Sequence, residues 1–140
     1  MSRLQIYWLV ILCFVLVSYA IAFLRKGKVG MPMTSRQRTI HVTATPAETF
    51  AHIRHIARPY LIDDSDPKLN VVIVSKPVAF LGGFGFFFPV FIAPAVDGGS
   101  DLTIGCTSKV VQMGPLVTRA HDKAVQAILQ TLALAPARVA

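Results

Sequence analysis

Residues 4–24, LQIYWLVILCFVLVSYAIAFL, carry no charged side chain, no proline and no glycine. No other feature limits the chain as much. At about 1.5 Å rise per residue this run makes roughly 31 Å of helix, the hydrocarbon thickness of a bilayer. Tyr7 and Trp8 stand near one end, where amphipathic rings favour the interface. A cleaved signal peptide competes with this reading, since Ala20-Ile21-Ala22 offers a cleavage pattern. The apolar run, however, continues through Phe23 and Leu24, and RKGK follows at once. An uncleaved transmembrane anchor over residues 1–24 is therefore expected.

Arg25, Lys26, Lys28, Arg36 and Arg38 follow the run, against Arg3 and the amino terminus before it. By the positive-inside rule this predicts a single-pass protein with its N-terminus outside and its C-terminal domain cytoplasmic. The whole chain is 54% hydrophobic and 15% charged, below the quarter or so of charged residues usual in soluble domains. Its formal charge of +7 suits nucleic acid or an anionic membrane surface. The five cations beside the membrane exit choose the membrane, each contributing about 1 kcal/mol near anionic headgroups. No nucleic-acid partner is expected. Residues 25–38, RKGKVGMPMTSRQR, read as a basic juxtamembrane linker.

An α+β domain is predicted over 39–135, with a tail at 136–140. TIHVTA (39–44) alternates like a half-buried strand. Thr45, Pro46 and Glu48 supply a cap, a first-turn proline and a capping box for a helix that should end near Arg58-Pro59. YLIDDSDPK (60–68) reads as a polar loop and LNVVIVS (69–75) as a strand. DGGS (97–100) is a turn. DLTIGCTSKVVQ (101–112) alternates, with Leu102, Ile104, Cys106 and Val110 opposite Thr103, Thr107 and Lys109, a strand with one wet face. A long amphipathic helix follows at 114–134, its stripe formed by Val117, Ala120, Ala124, Ile128 and Leu132. The order strand, helix, three strands, helix gives a small antiparallel sheet packed with two helices.

FLGGFGFFFPVFIAPAV (80–96) is uncharged and rich in phenylalanine. Its glycines and prolines argue against a second span, at about 1 and 3 kcal/mol each in a helix interior. As strand it makes a hairpin, Val78–Leu81 and Phe84–Ala93 about Gly82-Gly83. Phe84, Phe86 and Phe88 then share one face, Phe87 and Phe91 the other. One face packs on the helices. The second needs a cover: a lipid-like ligand, the bilayer surface or a partner protein, unless the sheet closes on itself. These five phenylalanines are the candidate ligand-binding residues.

TIHVTATPAETFAHI, together with the closing helix GPLVTRAHDKAVQAILQTL, resembles the START-like (SRPBCC, helix-grip) superfamily over residues 39 to about 134. The resemblance implies a sheet gripping the last helix around an apolar cavity, commonly for lipids, polyketides or other hydrophobic molecules. Against that family the chain is short of two or more strands and of a second short helix. A cavity would then be collapsed or completed by another subunit.

Catalytic chemistry has no support in the sequence. His52 and His55 lie three apart without an established ligand spacing, and read as the wet side of a helix. Cys13 and Cys106 form neither a disulfide framework nor a zinc pattern. Cys106 reads as a small buried hydrophobe rather than the partner of His121. GGFG lacks the lysine and helix of a phosphate loop. The expectation is a non-enzymatic, cofactor-free, membrane-anchored domain binding an apolar ligand or the membrane surface. An accessory subunit of a membrane complex, with the phenylalanine sheet as its interface, is the alternative.

Overall fold

The computed structural model describes residues 1–78, 85–110 and 114–133. Helix α1 runs over Arg3–Leu24, capped by Ser2 and Gln5 in a reciprocal box. It is long and apolar enough to cross a membrane, a property that spans and signal sequences share. Almost all of its side chains are exposed; Ser18 and Ala22, one turn apart, are buried.

The α+β domain follows as β1 (Gln37–Val42), α2 (Pro46–Ile53), β2 (Leu61–Asp66), β3 (Val71–Lys76), β4 (Phe86–Pro94), β5 (Ser100–Gly105), β6 (Thr107–Ser108) and α3 (Pro115–Ala133). The sheet is antiparallel, in the order β1-β5-β4-β3-β2, with β6 extending the partner edge of β4. Six strands are present, so the shortfall expected against the helix-grip pattern is smaller than the sequence indicated.

Helix α2 starts as its residues dictate. Thr45 Oγ1 accepts from the Glu48 amide, the Glu48 carboxylate accepts from the Thr45 amide, and Pro46 occupies the first turn. It ends at Ile53, a turn before the expected stop. Residues 61–66, expected as loop, form an edge strand against β3. The Asp and Ser side chains that suggested a turn are tolerated because an edge strand has one unpaired side. The strand expected over 101–112 breaks at Cys106 into β5 and β6. Of the first hairpin arm, Val78–Leu81, only Val78 is described, outside any strand; β4 pairs with β3, Lys76 opposite Phe86. Residues 79–84, including Phe84, lie outside the described residues.

α2 and α3 cover one face of the sheet. Phe50, Ile53, Val72, Val74, Phe86, Phe88, Val90, Ile92, Leu102, Ile104, Val125 and Ile128 form one buried cluster there. Val72, Val74, Leu102 and Ile104 alternate along their strands, so a single pleat surface feeds that core.

Candidate functional site

Neighbouring phenylalanines of β4 go to opposite sides of the sheet. On the inner side, Phe86 stacks on Phe88 at 6.1 Å between centroids, and Tyr60 meets Phe88 edge-on at 6.0 Å. Burial pushes the Tyr60 hydroxyl above the usual tyrosine range. Cys106 closes this side near α3, its Sγ 3.9 Å from the Val117 carbonyl, and burial raises the thiol to about 12. It stays protonated at neutral pH. His121 Nε2 lies 2.9 Å from the Ile104 carbonyl and donates to it, so that nitrogen is not directed at the thiol.

The outer side carries Ile73, Phe87 and Pro89, all buried, and Phe91, half-buried. Part of its cover comes from the chain itself. Residues 25–34, which read as a linker, lie along this face as a strap. A Cβ on Gly27 would collide with the Ile73 side chain and reach 3.2 Å from the Phe87 ring. One on Gly105 would meet Thr34 Oγ1 at 2.6 Å and Met33 Sδ at 2.8 Å. Glycine at both positions lets strap and strand approach to backbone distance.

The strap is held by two consecutive aspartates of β2. Gly27 N donates to Asp63 Oδ2 at 2.8 Å and Val29 N to Asp64 Oδ2 at 2.9 Å. Consecutive strand residues ordinarily point to opposite faces. Here the register of β2 shifts between Ile62 and Asp64, leaving Asp63 as the extra residue of a bulge. The bulge re-aims the side chain, so both carboxylates serve the same segment. Asp63 Oδ1 also accepts from Ser75 Oγ at 2.7 Å, which fixes the carboxylate. At the far end Thr34 Oγ1 accepts from the Cys106 amide at 2.9 Å.

Where helix α1 meets the strap, two cations share Phe87. The Arg25 guanidinium lies 5.3 Å from the ring centroid and donates to the Lys109 carbonyl at 2.6 Å, while Lys109 Nζ lies 5.1 Å from the same ring. Lys109, expected on a wet face, is buried. Burial, and secondarily Arg25, hold its ammonium below the usual lysine range, opposed by the Asp63 carboxylate. The aromatic ring beside it supplies the attraction that sequence alternation could not indicate.

The five basic residues thus have different surroundings. Lys26 and Lys28 are exposed, Arg25 is on Phe87, Arg38 Nη2 pairs with Asp122 Oδ1 at 2.9 Å, and Arg36 is exposed at the start of β1. Among the described residues no group of three His, Cys, Asp or Glu is arranged to hold a metal ion. His52 is half-buried and His55 exposed. One polar cluster gave no signal in the sequence: His41 sits between Asp101 and Asp97, at 2.9 and 2.8 Å. Those hydrogen bonds raise the imidazole above its ordinary value.

No family model and no curated protein matches the chain. Solved structures do. The crystal structure of Ara h 8.0201 is similar over 69% of this chain and 92% of that one, at 11% identity and a TM-score of 0.51. The di-domain ARO/CYC BexL from the BE-7585A biosynthetic pathway is similar over 71% of this chain, with 13% identity and a TM-score of 0.52. This chain spans 45% of its length. At such identities the likeness concerns architecture alone, and that architecture, a sheet closed on one face by a long C-terminal helix, is the helix-grip fold.

Proposed function

We propose that the protein is a non-enzymatic, membrane-anchored helix-grip domain that takes an apolar, lipid-like molecule between its sheet and α3, at the bilayer surface. The observation that carries this reading is the join between anchor and sheet. An apolar helix of 22 residues runs without an intervening loose segment into a strap hydrogen-bonded to the sheet. That join would hold the domain at the bilayer surface, with the largely apolar cluster between sheet and α3 as the place for apolar cargo. The neighbours support the reading as members of a ligand-binding fold. Placing the domain in the cytoplasm rests on the cations after α1.

An accessory subunit in a membrane complex is the second reading. Its interface would have been the outer phenylalanine face, where Phe87 is already covered by residues of the strap. A partner there would have to displace that strap.

The test is photolabelling of the full chain in lipid nanodiscs with a photoactivatable fatty acid. Labelled peptides from 86–92 and 120–132 are expected. Labelling confined to residues 3–24 would contradict ligand uptake while leaving the anchor in place.

A further inference from the structure

A groove of about 540 Å³ lies between the entry to β1 and the first half of α3, away from the phenylalanine faces. It is lined by Ser35, Arg36, Gln37, Arg38, Thr118, His121 and Asp122. Arg36 and Arg38 are two apart on one chain and Thr118, His121 and Asp122 fall on successive turns of the facing helix, so strand and helix periodicities converge on one space.

We propose that this groove binds a phosphate-type oxyanion. Its donors are present and unused. Among the described residues, the Arg36 guanidinium, the Ser35 and Thr118 hydroxyls and the Gln37 amide have no protein hydrogen-bond or ion-pair partner. Thr118 stands in the first turn of a 19-residue helix, where the helix dipole favours negative charge. His121 is buried at 4% exposure with Nε2–H donating to the Ile104 carbonyl, which leaves Nδ1 as an acceptor with no protein partner among the described residues, suited to the P–OH of a singly protonated phosphate group. The groove's one carboxylate, Asp122, is neutralised by Arg38 at 2.9 Å, which leaves Arg36 as the uncompensated charge. A guanidinium with neighbouring hydroxyls matches the acceptor oxygens of a phosphate group. The Arg36 carbonyl is itself fixed by the Cys106 amide at 3.2 Å and by Thr34 Oγ1 at 2.5 Å, so the residue that presents the cation is pinned at its backbone.

The same chemistry is carried by free phosphate esters and by the headgroups of anionic lipids. The proposal does not depend on the apolar ligand or on the anchor's orientation. The test uses the full chain in nanodiscs, with the Thr118 and His121 amides followed by NMR. One arm has phosphatidylcholine discs titrated with inorganic phosphate, the other has discs containing phosphatidic acid and no added phosphate. Saturable shifts in either arm, weakened roughly tenfold or more by Arg36→Gln and unaffected by Lys123→Gln, are the expected result. A response in the first arm assigns a free anion, and a response only in the second assigns a lipid headgroup. Thr118→Val serves as a second variant should Arg36→Gln perturb the fold, and it too should weaken binding. No saturable shift in either arm, or shifts indifferent to Arg36 and Thr118, would overturn the proposal.

Discussion

Phe87 and Phe88 are adjacent on β4 and both essentially inaccessible, yet they are covered in different ways. Phe88 lies in the core beneath α2 and α3, among side chains from most elements of the domain. Phe87 lies beneath a short irregular segment and between cation-bearing side chains. The first cover is made by periodic elements that bury many residues at once. The second is held by a few backbone-to-carboxylate hydrogen bonds and cation–π contacts. The comparison separates a face that the whole fold defends from one that depends on a local latch.

Truncation on the two faces tests that difference most strongly. Phe88→Ala should lower unfolding stability by about 3–5 kcal/mol, because the core around it is shared and cannot collapse freely. Phe87→Ala should cost about 3 kcal/mol or less, since the strap can follow the missing ring. Equal or reversed losses in chemical denaturation would break the comparison.

Next in size is the latch. Asp63→Ala removes the charged acceptor used by both Gly27 and Ser75. A loss of about 1.5–3 kcal/mol is expected for hydrogen bonds to a charged group. Limited proteolysis should then cut within residues 25–34 while the sheet stays intact. A variant as resistant as the parent would show that the latch does not hold the strap.

A smaller effect belongs to the entry of α2. Thr45→Ala removes the cap and half of the reciprocal box, for about 1 kcal/mol. A thermal melt unchanged by the substitution would count against the capping account.

Sequence reading succeeded where a pattern was repeated and local. The capping box at Thr45 and Glu48 lies where its residues placed it, and α3 follows its apolar stripe closely. Leu102, Ile104 and Cys106 face inward as their alternation predicts. The division of β4 into a Phe86/Phe88 face and a Phe87 face was also legible. What covers the second face was not. Gly27 and Val29 contribute main-chain amides, which any residue but proline carries, so their partners leave no trace in composition. β2 was hidden for a related reason. Its aspartates read as turn formers, whereas the bulge turns Asp63 and Asp64 into acceptors for a segment some 35 residues away.

The smallest effect lies at the far end of the sheet, on the solvent side. Asp101 and Asp97 raise His41, so its charged form is favoured in the folded state. That contribution is fully present below the unfolded value near 6.5 and fades as pH rises through the higher folded value. Asp97 is held low, first by the Gly99 amide and then by His41, so its contribution fades as pH falls below the ordinary aspartate value of 3.8. Stability carried by this cluster should therefore be greatest between those limits, and small, because every member is exposed. An NMR titration placing His41 at or below 6.5 would remove the cluster from the account.

The central claim is that the segment after the apolar helix is part of the domain and closes its outer face. Hydrogen exchange at the Gly27 and Val29 amides of the full chain in lipid nanodiscs tests it directly. The account predicts protection at both, lost at Gly27 in Asp63→Ala and at Val29 in Asp64→Ala, with β3 and β4 still protected. Exchange at the rate of a free linker in the parent protein would contradict it.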